Sequence, residues 1–218
     1  IVLMKTVAVI FGGRSTEHDV SIVTALASVI KPLEASRQYQ VEPVYIAKDG
    51  TWVWDKKLKD IKIFQTGEID DLVRKGARVH LSIDRGLTLI KSSQFAGRKQ
   101  YKQIDVVFPA MHGTHGEDGE LMGLLEMSNV PYVGCDMASS AIAMDKVLAK
   151  LVTQTQGISS PKMKFFTKSE YAAHMADWHK AIVQDLQFPV FVKPARLGSS
   201  IGITRVEGER ELGNAIEV

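Results

Sequence analysis

The sequence contains one cysteine, Cys135, so no internal disulfide can brace the chain, which fits a reducing compartment. No apolar run approaches the roughly 20 residues that span a bilayer, so no membrane-spanning helix is expected within these residues. The start, Ile1-Val2-Leu3-Met4-Lys5, meets charge too early for a secretory leader; Met4 reads as the natural first residue and the expected location is the cytoplasm. Charge of one sign is scarce too. A net charge of +2 offers no dense basic face for nucleic acid, and the basic block Arg98 to Lys102 is expected to be a solvated loop. Internal repeats and low-complexity tracts are absent.

What remains is an ordinary globular composition, 45% hydrophobic and 24% charged over 218 residues, enough for one large domain or two small ones. Lys5 to Phe11 is a short β-rich run stopped by Gly12-Gly13, and a helix is expected after it, with Val23, Leu26, Ala27 and Ile30 on one face and Pro32 near its end. Val41 to Ala47 follows as a strand. This strand–glycine loop–helix–strand order predicts an open, parallel, doubly wound α/β sheet. Residues 51 to 103 form an elaboration with one hairpin, in which Val79, Leu81 and Ile83 alternate, Asp84-Arg85-Gly86 turns, and Leu87 and Leu89 alternate back. The parallel pattern resumes with Ile104 to Phe108, a helix carrying Leu121, Leu124 and Leu125, and a short strand at Pro131 to Gly134.

The pattern changes near Cys135, which sets domain boundaries at 1–135 and 136–218. A long helix is predicted next, with Met144, Val147, Leu148, Leu151 and Val152 on one face and Gly157 as its stop. Then come a strand near Lys162 to Phe166, a helix near Lys168 to Gln184, strands at Val190 to Lys193 and Ile203 to Val206, and a helix from Glu209. The second domain is thus α+β, with a glycine loop between two strands.

That loop, Gly198-Ser199-Ser200-Ile201-Gly202 with Lys193 upstream, carries the chemistry. Glycines let backbone N–H groups approach an anion, and Lys193 at a strand end can aim its ammonium at the same place. Neither the Walker spacing nor the dinucleotide G-x-G-x-x-G is present. The residues alone leave two readings open, a flexible hairpin turn and a phosphate flap. Two further loops follow strands of the first domain, where open α/β sheets bind ligands. In Gly12 to Ser21, Glu17 either receives a cationic group or simply complements a helix dipole. In Pro109 to Glu120, two histidines and three acids raise the question of a metal, but without a helical H-E-x-x-H spacing no metal ligand is assigned, and a substrate-orienting loop or a helix-capping connector is the expectation. Lys146, off the apolar helix face, reads by itself as a surface lysine.

Together, FGGRSTEHDVS at 11–21, HGTHGEDGELMGLLE at 112–126, PYVGCDMASSAIAMDK at 131–146 and FPVFVKPARLGSSIGI at 188–203 resemble the D-alanine–D-alanine ligase family of ATP-grasp enzymes. The resemblance covers nearly the whole chain, and it reweights each loop. It implies that Glu17 lies near the ammonium of a first D-alanine and that Ser199 links this acid to the substrate loop. It implies that His112, with Glu117 as neighbour, lies near that substrate's carboxylate. Lys146 and Lys193 match two lysines that hold ATP phosphates, while Gly198 and Ser200 belong to the flap facing them. The implied cofactors are ATP and Mg²⁺, the implied partners are small molecules without nucleic acid or membrane, and the implied assembly is a homodimer.

The implied reaction ligates two D-alanines through an acyl phosphate, for peptidoglycan precursor synthesis. The family's magnesium ligands, its oxyanion arginine and much of its adenine pocket lie in a C-terminal domain that the resemblance places beyond Val218, so the 218-residue chain alone is expected to be inactive. Three other readings stand beside this one: a D-alanine–D-lactate ligase, a truncated binding module that keeps only the fold, and a dinucleotide oxidoreductase, which lacks its fingerprint.

Overall fold

The computed structural model describes residues 4–74, 78–92 and 99–217. Ile1 to Leu3 and Arg98, which entered the reading of the start and of the basic block, lie outside the described residues. Packing divides the chain into two units, Ile1–Ala141 and Ile142–Val218.

The first unit grows from β1 (Lys5–Gly12). Its side chains alternate between two cores: Val7, Val9 and Phe11 enter one, Ala8 and Ile10 the other. An unbroken apolar run is what a strand covered on both faces requires. Each large side chain buried this way contributes about 1.5–3 kcal/mol. The chain then forms α1 (His18–Val23), a π-helical stretch over Thr24–Ile30, and α2 (Lys31–Ser36). Pro32 was expected near the helix end, yet it sits inside the first turn of α2. A proline lacks the N–H and crowds the carbonyl four residues back, and the widened π turns before it accommodate both.

Strand β2 (Tyr39–Ile46) lies parallel to β1, and β3 (Trp52–Trp54) adds an antiparallel edge. A 3₁₀ turn at Lys56–Lys59, α3 (Lys62–Thr66) and α4 (Glu68–Arg74) follow. The expected hairpin is present as β4 (Val79–Ser82) and β5 (Leu87–Ser92). It carries a third strand, β6 (Lys99–Ile104), where a loop was expected. The basic residues conceal this strand because only Ile104 of β6 is buried; Lys99, Gln100, Tyr101 and Gln103 face water.

Asp105 interrupts the predicted Ile104 to Phe108 strand, and β7 (Val106–Pro109) joins the main sheet in the order β3-β2-β1-β7. After α5 (Glu120–Met127), the expected strand at 131–134 shrinks to one parallel bridge, Val107 to Tyr132. The next helix, α6 (Met137–Met144), starts on the first unit: the Met137 amide donates to Glu126 Oε1 at 3.0 Å.

The long helix expected after Cys135 is two helices. Asp145 adopts an extended conformation between α6 and α7 (Lys146–Thr155). Its carboxylate captures the Val147 and Leu148 amides, which favours a new helix start over helix continuation. Leu148, Leu151 and Val152 of α7 remain exposed. Lys162 to Phe166, expected as a strand, has no regular secondary structure and belongs to none of the described sheets. The single helix predicted near 168–184 is broken at His174 into α8 (Lys168–Ala173), which opens on a Thr167/Glu170 capping box, and α9 (Met175–Asp185). Strands β8 (Val190–Val192) and β9 (Thr204–Val206) pair antiparallel, and α10 (Glu209–Glu217) packs Leu212 and Ala215 against Ile182 and Val206. Among the described residues, no helix is long and apolar enough to cross a membrane.

Candidate functional site

In the first unit the two loops meet at the ends of β1 and β7. The Ser21 hydroxyl accepts from the Gly12 amide at 2.8 Å and donates to the Ala110 carbonyl at 2.7 Å, tying both loops to the start of the helix. His18 is buried beneath them, its Nδ1 2.6 Å from the Gly13 carbonyl and its Nε2 3.0 Å from the Tyr45 hydroxyl. A carbonyl can only accept, so Nδ1 carries the proton and Nε2 accepts from Tyr45. Burial, with Asp70, Asp19 and Asp49 adding to it, pushes the Tyr45 phenol up to about 12, which keeps it a donor.

Glu17 is half-buried and reaches the second loop. A methyl group placed on Gly113, whose φ is +72°, would lie 2.6 Å from both Glu17 Oε2 and Ser15 Oγ, so only glycine fits this approach. The neighbouring His112 is 3.0 Å from the Thr24 hydroxyl through Nε2. Glu117 Oε2 accepts from the Gly113 amide at 2.7 Å, so this acid shapes the loop from within. Glu17 and His112 thus both adjoin Gly113, one through space and one along the chain.

Downstream in the same loop, ligand atoms of His115, Asp118 and Glu120 lie within 4.8 Å of one another. Their bonds are internal: the His115 amide donates to Asp118, and the His115 ring contacts Glu120. The cluster opens α5, where the helix dipole opposes a cation. Two surface concavities lie elsewhere, one between Asp84–Gly86 and Met127–Pro131 and one between Val23–Glu34 and Lys56–Ile61. Neither involves the loops, which form an open edge.

The second unit builds a separate set. Segment 193–203 joins antiparallel β8 to β9, the geometry of a flap. Ser199 and Ser200 adopt left-handed φ values of 49° and 58°, a conformation that costs an L residue on the order of 1–2 kcal/mol each. The Lys146 ammonium donates to the Leu197 carbonyl at 2.5 Å, and its backbone amide donates to Ala195 at 2.9 Å. Lys193 stands 5.7 Å above the Phe191 ring. Asp145 is buried at the base of this loop and takes Arg196 Nε at 2.9 Å. The Arg196 bond, aided by the two capping amides, holds its carboxyl below the usual carboxylate range despite burial. Two lysines beside a glycine loop are suited to an anion with several oxygens.

The structure therefore gathers Glu17, His112 and Glu117 in one unit, and Lys146, Lys193, Gly198, Ser199 and Ser200 in the other. The implied link between Glu17 and Ser199 spans the two units and stays an expectation. Sequence reasoning passed over His18, Ser21, Tyr45, Asp145 and Arg196. A usable signal existed for His18, since positions 18, 22, 25 and 29 share one helical face and the last three are apolar core.

A family model described as the D-ala D-ala ligase N-terminus matches residues 6–135, and one described as the D-ala D-ala ligase C-terminus matches 152–218. A D-alanine–D-alanine ligase of Caldicellulosiruptor bescii is 40% identical over 217 residues, covering 96% of this chain and 55% of its own length. One from Chloroherpeton thalassium is 35% identical, covering 98% of this chain and 58% of its own. Among solved structures, the VanG D-Ala:D-Ser ligase from Enterococcus faecalis superposes with a TM-score of 0.78 at 35% identity, covering 99% of this chain and 59% of that one. The D-alanine–D-alanine ligase from Helicobacter pylori gives 0.77 at 26% identity, covering 98% and 59%. The chain spans somewhat over half the length of the relatives it matches.

Proposed function

Because the chain belongs to the D-alanine–D-alanine ligase family, we propose that it carries the first-substrate site and part of the nucleotide clamp of an ATP-dependent ligase that joins two D-alanines. The observation that supports this most is the flap, in which the Lys146 ammonium rests 2.5 Å from the Leu197 carbonyl beside two left-handed serines. Two left-handed residues in a row also suit an ordinary tight hairpin turn, so what favours the phosphate reading is the Lys146 ammonium lying against this loop together with the family match.

In the proposed reaction, a carboxylate oxygen of the first D-alanine attacks the γ-phosphorus of ATP, ADP leaves, and an acyl phosphate forms. The amine of the second D-alanine then attacks the acyl carbon, phosphate departs, and the nitrogen loses a proton. The first step brings two anions together and needs cations and aligned N–H donors. Lys146, Lys193, Gly198 and Ser200 supply them in this reading. Glu17 receives the ammonium of the first substrate, His112 its carboxylate, and Ser199 ties the flap to Glu17. Closure of the flap would shield the acyl phosphate from water.

We assign the second unit to the ATP-grasp architecture. Magnesium, when bound, would offset phosphate charge, but the described residues at the flap base do not suit it. Asp145 is already bound by two amides and Arg196, whereas a hard cation needs several uncommitted oxygens. No step here passes through the metal. The proposed setting is a cytoplasmic homodimer that supplies dipeptide for peptidoglycan precursors.

A second acceptor is favoured by one comparison, the likeness to a D-Ala:D-Ser ligase. The test offers the intact enzyme ATP and D-alanine, alone and with D-serine or D-lactate in competition, and follows phosphate release and ligated product. D-alanine-dependent phosphate release with a ligated product supports the reading. Its absence for all three acceptors overturns it, and the product ratio identifies the acceptor.

A further inference from the structure

Three consecutive residues at the flap base are each held by the pair at the start of α7. The Ala195 carbonyl accepts from the Lys146 amide at 2.9 Å, Arg196 Nε donates to Asp145 Oδ2 at 2.9 Å, and the Leu197 carbonyl accepts from Lys146 Nζ at 2.5 Å. The other oxygen of Asp145 serves the helix, accepting from the Val147 amide at 2.9 Å and the Leu148 amide at 3.1 Å. One carboxylate therefore does two separable jobs: Oδ1 starts the helix that presents Lys146, and Oδ2 anchors the loop that Lys146 touches.

We propose that Asp145 is a positioning residue that, through Arg196, latches the base of the flap to the helix bearing Lys146, so that the lysine can give up the Leu197 carbonyl without releasing the loop. The ammonium has three donors, and an arriving anion that draws it out of reach of Leu197 competes with that carbonyl for its position. Were Lys146 Nζ the sole side-chain tie, that competition would free the flap at the moment it should stay. The Asp145–Arg196 bond uses none of the Lys146 donors, so turning that ammonium toward a ligand does not itself break it. The part of this inference that concerns nucleotide rests on the ligase reading; the latch itself does not.

Asparagine separates the two jobs. It caps helices about as well as aspartate, but the Nδ2 it would turn toward Arg196 cannot accept a hydrogen bond. The experiment follows amide hydrogen exchange of residues 197–203 by mass spectrometry on the full chain without nucleotide, in the wild type, D145N, D145A, R196A and the D145N/R196A double variant. The expected result is that D145N and R196A each speed flap exchange about two- to fivefold, and that the double variant goes no further than either. Exchange unchanged in D145N but raised in D145A would overturn the proposal, leaving only a helix cap. In the intact enzyme the same D145N should raise the KM for ATP more than it lowers kcat. The nucleotide reading is judged separately, by whether ATP slows flap exchange in the wild type.

Discussion

The two units differ in how completely they bury what they present. The first has two cores on opposite faces of one sheet, and every apolar residue of β1 lies in one of them. The second has one small core built on Ile182, Val206, Leu212 and Ala215, and its α7 has no buried residue. The candidate residues follow the same division. Glu17 and His112 sit on a rigid edge braced by Ser21 and His18, whereas Lys193, Ser199 and Ser200 sit on an exposed flap fastened at its base. A fixed site suits a small substrate that must be aligned; a loosely held one suits a ligand that must be enclosed and then released.

The sharpest way to break this comparison is to open a cavity in each core. Phe11→Ala should cost about 3–5 kcal/mol and Leu212→Ala about 2–5 kcal/mol. Leu212→Ala should also split unfolding into two urea transitions. Trp178, tilted against Phe166 in the second unit, should report the earlier one, and Trp52 and Trp54 in β3 the later. A single coincident transition for all three tryptophans would show that the units do not differ in stability.

Lys193→Ala should lower kcat/KM for ATP in the intact enzyme about 100-fold, as loss of one charge-stabilising donor does. The side chain is exposed, so the melting temperature should stay within about 2 °C. Unchanged ATP kinetics would remove Lys193 from the nucleotide site.

A smaller effect concerns acid. The folded-state pKa of Asp145 is depressed, so its stabilising contribution is present above the ordinary carboxylate value of 3.8 and is lost as pH falls below it. The Trp178 transition should therefore weaken between about pH 4 and pH 2 in the wild type, and less steeply in D145N. Equal slopes would mean that the carboxylate is not bonded as described.

The smallest change is Ser200→Gly. Removing the left-handed strain should stabilise the second unit by about 0.5–1 kcal/mol in urea titration, offset in part by glycine's greater freedom when unfolded. Destabilisation would mean that the serine side chain contributes more than its backbone costs.

Local features of the fold were readable in the sequence where the reporting residues are neighbours. The apolar run of β1, the alternation and Asp84-Arg85-Gly86 turn of the hairpin, and the glycines of the flap each carry their own cue. Asp145 misled because the apolar spacing of Met144, Val147, Leu148 and Leu151 continues across it, and spacing cannot register a carboxylate that accepts from the amides of the turn ahead of it. Strand β6 was hidden by its lysines, and Lys162 to Phe166 alternates like a strand but has no ladder partner in the described sheets. The candidate site divides likewise. Glycine loops and lysines can be found by residue type, but His18–Tyr45 and Asp145–Arg196 join residues 27 and 51 positions apart and leave no local trace.

The Ser21 hydroxyl, shared between the Gly12 amide and the Ala110 carbonyl, has a practical consequence for protein engineering. The loops bearing Glu17 and His112 share this oxygen beside their separate backbone bonds to Ile46 and Ile10, so a change at Ser21 reaches both loops at once. Selectivity for a new substrate is then best sought in the loops themselves, with Ser21 held fixed as the common reference point.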